Sequence, residues 1–137
     1  MKIKTTILVE PRGKERSRWM QTPSGKVFSY TPAKTAFAEK LIRESVMALE
    51  QRFGDGTAIK LEATFYRQRP KSLPKKVELP ISRPDIDNYY KLLADSLQKY
   101  VYRDDSQITT AIIKKRFGTP PRIELILEED LNGETEK

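Results

Sequence analysis

The sequence predicts an α/β (α+β) domain, a mixed, mostly antiparallel sheet packed by two main helices. Apolar residues alternate over residues 3–9, 58–66 and 122–128, with a further strand-like run at 107–117. Two stretches with 3.6-residue apolar periodicity follow Pro32 and Pro84, as core-facing helices require. The length of 137 residues suits a single domain, 1–137, and neither an internal repeat nor a linker divides it.

Each element has its own warrant. In the first strand Ile3, Thr5, Ile7 and Val9 face one way and Lys4, Thr6 and Leu8 the other. Residues 11–30 lose that periodicity and carry Arg12, Lys14, Arg16, Arg18 and Lys26 around Trp19, Pro23 and Gly25, which reads as an exposed basic loop. Thr31-Pro32 offers an N-cap and a proline for the first helical position. Ala38, Leu41, Ile42, Leu49 and Phe53 then share one side of a helical wheel, and Gly54 and Gly56 end the element. Ile59, Leu61, Ala63 and Phe65 alternate with Lys60, Glu62, Thr64 and Tyr66, the pattern of a half-buried strand.

Residues 67–83 set Arg67, Arg69, Lys71, Lys75, Lys76 and Arg83 against a single acid, Glu78, while Pro70, Pro74 and Pro80 oppose regular structure. A mobile basic loop is expected there. The second helix starts at Pro84, gathers Tyr89, Leu92, Leu93, Leu97 and Tyr100 on its buried side, and ends near Tyr100. Ile123, Leu125 and Leu127 point inward in the last strand, which is expected to pair with 107–117 as a hairpin through the Gly118-Thr-Pro-Pro121 turn. From Glu128 onward the chain is acidic and without apolar pattern, so 128–137 is expected to fray.

The formal net charge of +7 points to a polyanionic partner, of which nucleic acid is the commonest. A basic ribosomal or merely solubilising surface is the plain alternative. Without cysteine there is no disulfide and no thiolate metal site, which fits a reducing cytoplasm. Without histidine the usual general base and the usual zinc ligand are both missing, so hydrolysis would need carboxylate-bound hard metal ions and a lysine. No run of about 18 apolar residues and no apolar signal core is present, so neither membrane insertion nor secretion is expected.

Against this basic background, Arg83-Pro-Asp-Ile-Asp-Asn-Tyr-Tyr-Lys91 and Asp104-Asp105-Ser-Gln concentrate four carboxylates and a lysine. Carboxylates repel phosphate, so in a phosphate-seeking chain they point to metal-assisted cleavage rather than to binding alone. Asp87, Lys91 and Asp95 recur at every fourth position on the helix face opposite the apolar one. The ordinary explanation makes Asp85 a cap and Asp87–Lys91 and Lys91–Asp95 surface pairs worth a few tenths of a kcal/mol each. Whether Asp104 and Asp105 return to Asp87 is not decided by these residues alone.

Pro84-Asp-Ile-Asp-Asn-Tyr-Tyr-Lys91, then Asp95-Ser-Leu97, then Asp104-Asp-Ser-Gln-Ile108 and Lys114-Lys115, resembles the signature of the RusA family of Holliday-junction resolvases, common in prophages. Arg16-Ser-Arg18 ahead of the Tyr30-Thr-Pro32 helix start extends the resemblance into the N-terminal half. The resemblance implies a RusA-like homodimer that nicks opposite strands of a four-way junction in DNA recombination and repair, with Mg²⁺ as cofactor and Mn²⁺ as a plausible substitute. It implies metal-binding roles for Asp85, Asp87 and Asp105, and a catalytic or phosphate-contacting role for Lys91. The segment between Asp95 and Asp104 is compressed relative to the best-known members, so Asp104 stands beside Asp105 as a candidate ligand.

Backbone contacts are expected from the two basic loops: Arg16, Arg18, Lys26, Arg67, Arg69, Lys71, Lys75, Lys76 and Arg83. Two rival readings remain at this level: a non-catalytic basic nucleic-acid-binding protein, and a nuclease of flaps, forks or RNA.

Overall fold

The computed structural model of the chain describes residues 1–131. Its elements run β1 (Lys2–Ile7), β2 (Arg18–Gln21), β3 (Val27–Tyr30), α1 (Ala33–Met47), β4 (Ile59–Arg67), α2 (Ile86–Leu97), a short 3₁₀ turn (Asp105–Gln107), β5 (Ile108–Phe117) and β6 (Arg122–Glu129). Four strands form one sheet in the order β1-β6-β4-β5. β6 is antiparallel to β1 and to β4, and β5 is parallel to β4. The expected mixed, mostly antiparallel sheet with two helices is what the chain forms.

Period-two patterning places the core. Ile59, Leu61, Ala63 and Phe65 of β4 are wholly buried, and Leu127, Leu125 and Ile123 of β6 lie in register beside Leu61, Ala63 and Phe65. Ile3 and Ile7 of β1 continue the same face. α1 adds Ala38, Ile42 and Val46, and α2 adds Tyr89, Leu92, Leu93 and Leu97, so both helices cover one face of the sheet. Each of the buried Ile, Leu, Val and Phe side chains contributes roughly 1.5–3 kcal/mol by burial. The other face keeps Lys60, Glu62, Thr64 and Tyr66 partly exposed.

Several expectations give way to tertiary structure. β5 and β6 are not hydrogen-bonded neighbours, because β4 lies between them. The order β4–α2–β5 is a crossover unit, whose strands pair in parallel, and this leaves β6 the opposite edge of β4. The four residues 118–121 span the roughly 10 Å across the intervening strand, with Gly118 N–H donating to Arg67 O of β4 at 2.9 Å. A Cβ on Gly118 would come within 2.5 Å of the Tyr66 ring, so glycine is required at this close approach.

The basic stretch 11–30 is not a plain loop. Its second half is the β2–β3 hairpin, turning at Thr22–Gly25 with Gly25 at a φ of 89° and Gly25 N–H bonded to Thr22 O at 2.9 Å. All eight strand residues are exposed, so no apolar face existed to produce a periodic signal. α1 starts one residue later than expected, with Pro32 rather than Thr31 in the N-cap place, and stops at Met47. The Phe53 N–H is bound to Val101 O at 2.8 Å, a tertiary bond that a continued helix would have spent on its own carbonyl. Phe53 still reaches the core, while Leu49 stays at the surface.

α2 also ends early, at Leu97, with Lys99 at a φ of 74°. Tyr100 is therefore 40% exposed, and Val101 and Tyr102 take the buried places instead. The Tyr102 hydroxyl donates to Ala94 O at 2.6 Å, which fixes the turn back toward β5. β6 runs through Glu129, so Glu128 and Glu129 are paired strand rather than frayed tail. Asp130 accepts from Thr109 and Thr110 at 2.7 and 2.6 Å. Residues 132–137 of the expected tail lie outside the described residues.

Candidate active site

The crossover unit sends the chain out of the C-terminal end of β4, through residues 68–85, and into the N-terminus of α2. Two cations hold the last part of this approach. Arg67 Nη1 donates to Ser82 O, Ser82 Oγ and Arg83 O at 3.1–3.2 Å. Lys115, in register with Phe65 on β5, donates to Ser82 O and Pro84 O, both at 3.0 Å. Three successive carbonyls before Asp85 are thus fixed from the sheet.

Pro84 lies outside the helix and Asp85 occupies the N-cap place, in an extended conformation. Its carboxylate accepts no capping hydrogen bond. Asp87, in the first turn, makes no pair with Lys91, and neither Asp85 nor Asp87 has a cation partner among the described residues. In a chain with 26 Lys and Arg, two adjacent exposed carboxylates left unpaired are not explained as caps or surface pairs. The helix N-terminus itself stabilises their charge.

A second cluster forms along the exposed face of α2. Asp95 Oδ2 receives Lys91 at 3.9 Å and Lys14 at 3.6 Å, and Lys14 also reaches Glu39 at 3.2 Å. Lys91 stands one turn, about 6 Å, beyond Asp87, between the two groups of carboxylates. The second group includes Asp105, whose carboxyl is raised above the ordinary range by burial first, then by a hydrogen bond with the Asp104 carboxyl and by the charges of Asp104 and Asp95, against a lowering by Lys91. Asp105 therefore takes up a proton at a higher pH than an ordinary aspartate as the solution is acidified. Lys91→Gln should push that titration higher still, followed by carboxyl ¹³C NMR; an unmoved titration would mean that Lys91 does not act on Asp105.

Asp104 has a different task. Its side chain caps the 3₁₀ turn, accepting from Ser106 N–H at 3.1 Å, while Gln107 Oε1 accepts from the Asp104 and Arg103 N–H groups at 3.2 and 2.9 Å. The Ser106 N–H holds the Asp104 carboxyl below the usual range. Gln107 Nε2 in turn bonds Gly54 O and Thr57 O at 2.9 and 3.1 Å, tying this turn to the approach of β4. Capping engages Asp104, and Asp105 beside it feels the charges of Asp104, Asp95 and Lys91.

Hard carboxylate oxygens suit Mg²⁺ or Mn²⁺, and Mg²⁺ is ordinarily held by one or two carboxylates together with water and substrate phosphate. The unpaired Asp85 and Asp87 fit that mode. Among the described residues no three carboxylates are gathered closely enough to form a site by themselves, so Asp85, Asp87 and Asp105 do not make one closed protein cage.

The basic residues divide by what they touch. Lys71, Lys75 and Lys76 are exposed and unpaired, as are Arg16, Lys26 and Arg83. Arg18 faces Glu15 at 3.6 Å. Arg69 is turned inward on its own loop: it donates to Val77 O and Pro74 O and lies 5.2 Å from the Phe117 ring centroid. With Arg67 holding the carbonyls before Asp85, these two arginines organise the 67–83 segment. Lys14 is the member of the cluster that sequence reasoning missed. It sits in an aperiodic segment remote in sequence from Asp95, and its place is set by Gly13, where a Cβ would come within 3.0 Å of Pro84, and by its N–H bond to Asn88 O at 3.3 Å.

No helix among the described residues is long and apolar enough to cross a membrane. The sequence pattern of the family described as Endodeoxyribonuclease RusA matches residues 9–128, which takes in every element from β2 to β5 and all but the last residue of β6. The uncharacterized protein YqaN of Bacillus subtilis (strain 168) is 31% identical over 141 residues, covering 93% of this chain and 96% of that protein. The match spans both carboxylate clusters and the segments that position them, and the chain belongs to the RusA family of endodeoxyribonucleases.

Proposed function

We propose that this chain is a metal-dependent endodeoxyribonuclease that resolves Holliday junctions by paired, symmetric nicks in DNA recombination and repair. The observation that carries this reading is the unpaired state of Asp85 and Asp87 at the N-terminus of α2, beside a held approach and within a basic chain. Asp85 and Asp87 would hold a divalent cation, with Asp105 joining them only if substrate or metal draws it in, and that cation when bound would polarise the scissile phosphate and lower the pKa of an attacking water.

The protein's own residues do the rest. Arg67 and Lys115 keep Asp85 in place by holding the preceding carbonyls. Lys91, whose charge acts on Asp105, would supply positive charge to offset the negative charge that grows in a phosphoryl-transfer transition state. Lys14 and Lys91 together keep Asp95 from adding uncompensated negative charge. A four-way junction has two-fold symmetry and each chain carries one such site, so paired cuts call for a homodimer with a two-fold axis.

The substrate test is a panel of synthetic four-way junction, fork, flap and linear duplex with Mg²⁺ present. Junction cleavage well above the other three supports the reading, and equal cleavage of flaps or forks would reassign the substrate. A protein that binds all four and cuts none would be a binding module.

The lysines of the 67–83 segment give a second outcome. Replacing Lys71, Lys75 and Lys76 with alanine should make the slope of log K against log salt shallower by about 2.7, roughly 0.9 for each lost phosphate contact. Salt-dependent anisotropy on labelled junction measures it, and an unchanged slope would make these lysines a solvated charge run. The melting temperature should barely move, because all three are exposed and unpaired.

A further inference from the structure

A cleft of about 410 Å³ opens between residues 10–15 and the start of α2, apart from the carboxylate clusters. Tyr89 lines it. This residue is fully buried, with its ring stacked on Phe65 at a centroid distance of 4.8 Å and an interplanar angle of 9°. The stack fixes where the phenol points, yet among the described residues its O–H meets no acceptor, Arg67 being the one group that approaches the hydroxyl, and that as a donor. Buried hydroxyls without partners are rare in folded proteins. The charges that act on this hydroxyl come from Arg67 and Glu10, both of which also line the cleft.

The cleft is electropositive. Arg12, Arg67 and Arg83 line it without a carboxylate partner among the described residues, against one unpaired acid, Glu10. Lys14 and Glu15 are already engaged elsewhere, with Asp95 and Glu39 and with Thr35 and Arg18. What is left over is a fixed neutral donor surrounded by guanidinium groups, the complement of a monoanion with exposed oxygens.

We propose that this cleft binds one phosphodiester of the DNA backbone, the Tyr89 hydroxyl donating to a non-bridging oxygen while Arg12 and Arg83 offset its charge. Pro84 and Asn88, which line the cleft, bracket Asp85 and Asp87 in the chain, so the phosphate held here belongs to a strand passing those carboxylates. The subsite fixes the register of that strand and reads no base. It rests on the nuclease reading above for its ligand.

The test uses Tyr89→Phe, which keeps the stack on Phe65 and removes only the hydroxyl, and Arg12→Gln. Binding to labelled four-way junction and duplex is measured in EDTA over a range of salt. Losing a hydrogen bond to a charged oxygen should weaken Tyr89→Phe about tenfold on both DNAs, with a melting temperature equal to or above that of wild type. Arg12→Gln should make the salt slope shallower by about 0.9. Wild-type affinity in Tyr89→Phe overturns the proposal, and so does a fall in its melting temperature, which would reveal a structural partner for the hydroxyl. Inorganic phosphate separates the two readings. If wild type binds no DNA but phosphate raises its melting temperature and not that of Tyr89→Phe, the anion site stands and the nuclease reading falls. If wild type cuts junctions and Tyr89→Phe binds and cuts them equally well, the nuclease reading stands and the subsite is wrong.

Discussion

Asp87→Asn should abolish junction cleavage, lowering the rate at saturating Mg²⁺ at least a hundredfold, while junction binding stays the same or tightens. The carboxylate has no cation or hydrogen-bond partner among the described residues, so the fold loses only its small favourable interaction with the helix N-terminus. Its removal takes away a hard oxygen ligand, and a loss of about 3 kcal/mol of transition-state stabilisation already amounts to more than a hundredfold. It also removes a negative charge that opposes phosphate, which is why affinity should hold or rise. Asp85→Asn should behave alike, because the Asp85 side chain does not cap the helix whose N-cap place it occupies. A single-turnover assay beside a binding titration in EDTA measures both halves. Cleavage at the wild-type rate in either variant would remove these residues from the reaction.

The second large effect separates neighbours. Asp105→Asn should be as damaging as Asp87→Asn, since the Asp105 carboxyl is not spent on capping and feels the charge of Lys91. Asp104→Asn should keep most of its cleavage, because asparagine also caps and can still accept from the Ser106 N–H. Asp104→Ala should lower the melting temperature through loss of that cap, with cleavage falling less than tenfold. Rates and thermal melts of the three variants decide the matter. A dead Asp104→Asn with an active Asp105→Asn would exchange the two roles.

How much of this was legible before folding depends on what each residue had to bury. Ile59 to Phe65 alternate because β4 sits at the centre of the sheet with one face wholly covered, so periodicity alone placed that strand. β2 and β3 have no covered face, so they left no periodic signal and 11–30 read as a loop. The hairpin expected of β5 and β6 misjudged closeness in sequence, where the strand–helix–strand order from Ile59 to Phe117 was the better guide to pairing.

The site was legible to the same extent. Asp85, Asp87 and Lys91 lie within two turns of one helix, where spacing determines placement. Lys14, Lys115 and the inward turn of Arg69 were not, because each is positioned by a contact with a segment remote in sequence or by a loop carbonyl that no pattern announces. That Asp104 caps the 3₁₀ turn in a box closed by Gln107 is likewise a fact of geometry rather than of composition.

The most direct test of the central claim is the fate of a supercoiled plasmid carrying an extruded cruciform, incubated with the protein and Mg²⁺. One nick relaxes the plasmid and a paired cut linearises it. The expected result is linear product with wild type, none in EDTA, and relaxed circles from mixed dimers of wild-type and Asp87→Asn chains. Linear product that persists in EDTA, or a plasmid left supercoiled at every Mg²⁺ concentration while the protein is bound to its cruciform, would contradict the claim.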